Sequence, residues 1–449
     1  VLWRVRIAGV WDDLRDSLWL LPAVVVVASA ALAGLLIAVE PSSAWTPWPL
    51  VFGGTPAGAR ALLSELAGAT ITVVGLVFSL TVIALQMASS QFTPRLLRTF
   101  LRDRGVQTVL SVMIASAVFD VIVLSTVRSS GEGVQPFVPR LAVTAALILA
   151  GAAVALLVYF LHHVTQSLRA DVIIRSISRQ TMDQLAATAG DRSQLPDQEP
   201  PVPDGETVTV VARREGYLQL VDAPVLARSL RNVGYRVRIR PTVGDWVSRG
   251  TTLAWAWVDG SDARGRPDGL DDTVHRGVHL GADRTESSDL TFGIRQLQDI
   301  ALRALSTGVN DPSTASIVIT QLSSILVAMA DEPLGADLVS DEDGQIRVAV
   351  PRPTFAAYLD LVIGPLRHNA DQDLRVLLSI LVLLTDVAER VADSGDRADA
   401  VRHQLGRVLA NADLADADDA AELERAARVV TDTLRAGHRP VTSAPTRAS

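Results

Sequence analysis

Four apolar stretches govern what this chain can become: about residues 18–39, 66–89, 106–127 and 138–161. A hydrocarbon core ~30 Å thick takes ~20 residues of helix, and each stretch has that length. Inside hydrocarbon every backbone group needs a partner from the chain itself, so such stretches fold as helices. The first is too long for the apolar core of a secretory signal. Its flank WDDLRD is not clearly basic and three more spans follow, so it is read as a retained helix. Hydrophobic residues make up 49% of the 449 and the mean hydropathy is positive, so a membrane protein is considered before a soluble one.

Arginine placement orients the spans. The loop FTPRLLRTFLRDRG carries Arg95, Arg98, Arg102 and Arg104 against Asp103. The N-terminal flank adds Arg4, Arg6 and Arg15, and HHVTQSLRADVIIRSISR after the fourth span is basic again. The intervening loops carry few. The positive-inside rule then places both termini and the Arg-rich loop in the cytoplasm of a multi-pass cell-membrane protein. The chain has no Cys, which excludes disulfides, thiolate catalysis and Cys-based metal centres. It has no Lys either, which excludes Schiff-base chemistry and any lipoyl or biotinyl attachment. No basic block suggests nucleic acid as a partner.

The second span is apolar yet carries Thr72, Gly75, Ser79, Gln86 and Ser90 at three- or four-residue steps, beginning from Gly68. On a helix they form one stripe, opposite Val73, Val74, Val77, Leu80, Ile83 and Leu85. A polar stripe is not expected to face lipid. Two uses remain: close helix packing through small and hydroxyl residues, or the lining of a water-filled path in a homo-oligomer. Asp120, in SAVFDVIVL of the third span, favours a functional use, because a carboxylate inside a membrane is costly. A buried hydroxyl or Arg partner, or hydration near the outer interface, are the structural alternatives. His162 and His163 end the fourth span as a pH-sensing pair or as interfacial residues. At the inner end, Arg95, Arg98 and Arg102 alternate with Leu96, Leu97, Phe100 and Leu101, which reads as a short helix lying on the membrane surface.

After the spans, the Pro- and Asp-rich GDRSQLPDQEPPVPDGE marks a boundary. Strand-like runs follow: TVTVVARR, GYLQLVD, YRVRIRP and TTLAWAWVD. The turn VGDWVSRG is similar to those of small lipoyl- and biotinyl-type barrels, which suggests a barrel-like fold without the cofactor. His275 and His279 stand near Asp268, Asp271 and Asp272. Gly277 argues against a helix there, so an acidic loop leading into a strand is expected and no metal is assigned. The segment DLTFGIRQLQDIALRALSTGVNDPSTASIVITQLSSIL reads as helix, loop, helix, with Asp311 capping the second helix and Pro312 in its first turn. Arg295, Gln296, Asp299 and Arg303 lie near the polar side of the first helix, within reach of Asn310 and Asp311. The amides at Ser313 and Thr314 could take an anion; the alternative is a hairpin locked by its own polar loop. An Asp343–Gly344 hairpin and three or four amphipathic helices complete the chain.

FSLTVIALQMASSQFTPRLL and FGIRQLQDIALRALSTGVNDPSTA together resemble the domain-of-unknown-function 2254 family of bacterial predicted membrane proteins. The family's loop usually runs Ser-Pro-Gly/Ala-Ile-Asn-Asp-Pro. Here Ser306-Thr307-Gly308-Val309-Asn310-Asp311-Pro312 replaces one proline. The resemblance implies a bacterial inner-membrane protein and no settled activity.

The expected fold is a four-helix membrane domain over 1–165, a connecting helix and linker over 166–203, a small β-rich, barrel-like subdomain over 204–285, a mainly helical subdomain over 286–436 and a tail over 437–449. No catalytic motif is present, so an enzyme is not expected and no cofactor is assigned. The expected function is a homo-oligomeric ion channel or pore with a cytoplasmic regulatory region. The alternative is a membrane-anchored sensor or scaffold binding a ligand or partner. Expected partners are the lipid bilayer, further copies of the chain, and ions or a small anionic ligand.

Overall fold

A computed structural model of the chain describes residues 20–39, 51–91, 103–129, 136–167, 169–189, 207–231, 234–258, 268–284, 289–370 and 372–437. The chain divides into two compact units, Val1–Val172 and Ile173–Ser449.

Among the described residues the first unit contains four long helices: α1 (Leu20–Ala38), α2 (Pro56–Gln91), α3 (Arg104–Thr126) and α4 (Arg140–Ser167). Helix α2 starts well before the expected residue 66. Thr55 accepts a hydrogen bond from the Gly58 amide at 3.2 Å and Pro56 takes the first turn, where a missing N–H costs nothing. Helix α3 is central and packs on α1, α2 and α4. Leu63, Phe119, Val123 and Val143 build one apolar cluster; Val77, Val109, Met113 and Phe160 build another. Ser29 of α1 donates to the Ala115 carbonyl of α3 at 2.8 Å, a hydrogen bond between apolar helices of the kind that fixes their contact.

Five described helices are long and apolar enough to cross a membrane, one more than expected. The fifth lies in the second unit, over Pro312–Met329. One of its faces, with Ala315, Val318, Ile319, Leu322, Ile325 and Leu326, is buried against neighbouring helices.

Helix α5 (Ala170–Ala189) has all but its first three residues in the second unit, which continues with strands β1 (Val208–Val211) and β2 (Gly216–Val221), helix α6 (Ala223–Arg231) and strands β3 (Tyr235–Ile239), β4 (Trp246–Val247) and β5 (Thr252–Val258). Helix α7 (Leu270–Gly277) runs into β6 (Val278–Gly281). Then come α8 (Leu290–Ala304), α9 (Pro312–Met329), the hairpin β7 (Asp337–Ser340) and β8 (Ile346–Val350), and helices α10 (Phe355–Asn369), α11 (Leu374–Val391), α12 (Gly395–Asn411) and α13 (Ala417–Ala436).

Among the described residues the strands form two open sheets and no closed barrel, which corrects the barrel-like expectation. A five-stranded sheet has the order β1-β5-β3-β8-β7, and a three-stranded sheet the order β4-β2-β6. The turn VGDWVSRG leads out of β3 into β4, which pairs β2 in the other sheet. The free edge of β3 is taken by β8 in parallel, Val237 opposite Val348, so closure is prevented by a strand from far along the chain. Leu218, Leu226, Leu230, Val237, Ile239, Leu253 and Val274 form the core beneath.

A second correction concerns 270–277, which is a helix rather than a loop. Leu270 and Val274, one turn apart, are both buried, and Gly277 lets Leu226 of α6 approach to where a Cβ would stand at 3.2 Å. The glycine that argued against a helix is the contact that seats it. His275 lies on this helix and His279 on β6, so the two do not share a face as a metal-binding pair on one helix would.

Candidate functional site in the apolar helices

Helix α2 turns its polar stripe away from the other described helices of its own chain. Ala59, Leu63, Ala67, Thr70 and Val77 form its buried face, while Gly68, Thr72, Gly75, Ser79 and Gln86 are exposed. The exposed polar seam is flanked by Ile71, Phe78 and Val82 on one side and Leu76, Ile83 and Met87 on the other, all exposed. Its hydroxyls are internally satisfied: Thr72 donates to the Gly68 carbonyl and Ser79 to the Gly75 carbonyl, each at 2.9 Å. Such bonds let Ser and Thr tolerate an apolar neighbour. The Gln86 amide has two donors and an acceptor, more than one carbonyl can satisfy. Among the described residues, no helix of the chain covers the seam. Ser90 lies in α2, and its side chain falls outside the described residues, as do Arg95, Arg98 and Arg102 and the surface helix expected there.

Asp120 belongs to a different surface. Val109, Met113, Ser116, Asp120 and Val123 recur at steps of four and three, which is one face of α3. Val109 and Met113 pack with Val77 of α2 and Ala153 and Phe160 of α4, and Val123 packs with Leu63 of α2. Thr70 lies midway between Leu63 and Val77, so at 1.5 Å of rise per residue it falls near the level of Ser116 and Asp120. Asp120 is 0% exposed, and neither carboxyl oxygen nor the Ser116 hydroxyl has a protein hydrogen-bond partner. The expected intramembrane acid is thus sealed inside one chain's bundle and is not part of the α2 seam. A polar group left so in an apolar interior is expensive, which marks the position.

Where α3 begins and α4 ends, Asp103 caps α3 by accepting from the Gly105 amide at 2.7 Å, and its second oxygen bonds His163 Nε2 at 2.7 Å. The His163 ring stacks on Tyr159 at 5.4 Å. The sequence pointed to His163 but not to its partner, because Asp103 lies 60 residues away and reads as one acid in an Arg-rich loop.

In the second unit the loop between α8 and α9 is exposed over 307–310, and Asn310 adopts φ +49°, the left-handed region. Asp311 caps α9 as expected, accepting from the Thr314 amide at 3.1 Å and the Thr314 hydroxyl at 2.5 Å. The amide at Thr314 is thereby occupied, which weakens the anion-binding expectation there. Gln296 is buried in α8 rather than presented to the loop. Arg295 is half-buried, close enough to the buried Asp289 for their charges to interact. The loop's cation comes instead from α11, where Arg375 donates to the Ser313 hydroxyl at 3.2 Å. Nothing in the local sequence signals that pairing across 62 residues.

A family profile described as "Predicted membrane protein (DUF2254)" matches residues 15–386. Similar proteins include the uncharacterized protein Rv1290c of Mycobacterium tuberculosis and the uncharacterized protein Mb1321c of Mycobacterium bovis. Each is 36% identical over 445 residues, covering 98% of this chain and 84% of its own length. No solved structure matches.

Proposed function

The chain belongs to the DUF2254 family of predicted membrane proteins, and from that premise we propose that it forms a homo-oligomeric inner-membrane ion channel or pore, non-enzymatic, with the second unit as a cytoplasmic regulator. The observation that carries this reading is the outward seam of α2. Thr72, Gly75, Ser79 and Gln86 meet either lipid or another copy of the chain. An amide moved from water into an apolar medium without a partner costs ~2–7 kcal/mol. Copies arranged with their seams facing inward give Gln86 water or a neighbouring amide and leave Ile71, Phe78, Leu76 and Ile83 for contact with lipid and neighbours. A path lined by hydroxyls and amides admits hydrated ions without a fixed charge. The Arg distribution supports the orientation with both termini in the cytoplasm.

The test is ionic current across a planar bilayer containing purified chain, with the Gln86→Leu variant beside it. Discrete currents whose conductance or selectivity changes in the variant are expected. Silence over a range of voltage, pH and salt, from protein shown to be folded and inserted, would refute the pore.

A second reading, a membrane-anchored sensor or scaffold, is favoured by the exposed loop at 307–310 with Asn310 in a left-handed conformation. Non-glycine residues held so often mark functional loops. Asn310→Ala, read beside Asn310→Gly, which keeps the left-handed turn without strain, separates the two: a change in channel opening in both variants ties the loop side chain to gating, and unchanged currents leave it to partner binding.

A further inference from the structure

Helix α9 contains no charged residue in its 18 positions, although one side of it is open. Ser313, Ile317, Thr320 and Ser324 occupy that side at steps of four and three. The other open helices of the same unit are built differently: α12 and α13 carry Asp399, Arg402, Glu424 and Arg428 on their exposed positions.

Helix α11 continues the open side of α9. Ser379 donates to Ser316 at 2.9 Å and Ser323 to Asp386 at 2.7 Å. Both helices advance by seven residues between these bonds, so they run parallel and in step. With that seam fixed, the open positions of both helices fall on one side of the pair and form a platform. On α11 those positions are Arg375, Val382 and Glu389, spaced by seven. Val382 is 59% exposed, the most exposed large hydrophobic among the described residues of this unit. Arg375 reaches the Ser313 hydroxyl of α9 through one of its N–H groups; of the two other acidic or basic residues of α11, Asp386 accepts from Ser323 and Arg390 pairs with Asp331.

We infer that this α9–α11 platform docks against the same platform of a second copy of the chain, about a two-fold axis passing beside Val382. The charges are self-complementary about that point. Arg375 and Glu389 each lie two helical turns, ~10 Å, from Val382 in opposite directions. A two-fold that stacks the helices antiparallel sets Arg375 of each copy opposite Glu389 of the other, with Val382 on its own mate and the uncharged face of α9 on its counterpart. A two-fold interface must be self-complementary in this way. A lipid surface would be met by a basic rim, whereas here one flank of Val382 is acidic. The inference does not depend on the α2 seam or on pore activity.

The lack of cysteine gives a clean test. Val382→Cys places the sole thiol beside the axis, where it meets its own symmetry mate. In membranes holding the full-length chain, mild oxidation with copper phenanthroline is expected to convert most of the variant to a disulfide dimer. Val429→Cys, on α13 and 53% exposed, is expected to stay mostly monomeric. In the Val382→Cys background, Arg375→Glu or Glu389→Arg alone should lower the dimer yield severalfold, and the two together should restore it. The restored double variant also shows that the single changes do not simply unfold the unit. Equal yields at 382 and 429, single reversals without effect, or a double reversal as poor as the singles would overturn the proposal. Lipid or a different protein would then be what covers this face.

Discussion

Asp341 shows how single residues set the conditions under which the second unit is stable. It accepts from the amides of Asp343 and Gln345, both at 3.0 Å, and from Arg347 at 2.7 Å, closing the β7–β8 hairpin. The Arg347 bond, with the two amides, holds its carboxyl below the usual carboxylate range. A carboxyl depressed by folding contributes stability above its unfolded value, near pH ~3.9, and that contribution fades as pH falls through the folded value. Asp341→Asn is therefore expected to flatten the acid limb of stability against pH, measured by denaturant unfolding between neutral pH and about pH 2. Asn310 makes a second prediction. Its φ of +49° costs an L side chain ~1 kcal/mol, less for Asn than for others. Asn310→Gly should leave stability unchanged or slightly raised, and Asn310→Ala should lower it by ~1 kcal/mol in the same assay. In the apolar bundle, a carboxyl at Asp120 can titrate and a carboxamide cannot. Asp120→Asn should alter the pH dependence of the current, and identical profiles would make Asp120 purely structural.

Elements were legible in the sequence where their signal is local. The long apolar helices follow from length and composition, the α9 start from Asp311 and Pro312, and the β7–β8 turn from Asp343–Gly344. What the sequence hid depends on partners far along the chain. Helix α7 is short and contains a glycine, and only the space against Leu226 explains it. The open sheets could not be told from a barrel because β8 lies outside the β-rich stretch and enters beside β3. The orientation of the α2 stripe was open for the same reason: periodicity shows that residues share a face and not which way the face turns. One helix crossing has a sharp consequence. A Cβ on Gly293 of α8 would overlap the hydroxyl of Thr181 on α5, and it would stand 3.2 Å from Thr181 Cβ. Gly293→Ala is expected to destabilise the unit by ~1–3 kcal/mol through overpacking. Adding Thr181→Ala should recover part of that loss, and thermal unfolding of the single and double variants checks it.

At the scale of the whole molecule, two outward surfaces are poorly matched to what a lone chain would meet: the polar seam of α2, suited to water or protein rather than lipid, and the platform of α9 and α11, where an uncharged helix face lies beside the exposed Val382. Further copies of the chain are what we propose for both, and each proposal is tested without the other. The sheet of the second unit carries a consequence for how the protein is made. Strand β3 is flanked by β5, which follows it closely, and by β8, which leaves the ribosome roughly 110 residues later. At ~5–20 residues per second, one edge of β3 stays open for roughly 5–20 s of synthesis. An open edge invites pairing with another chain. Chains released before β8 should accumulate as aggregates, while chains released after β8 should not, which length-graded arrested chains would reveal by sedimentation. Timing at the ribosome is thus written into the order of five strands.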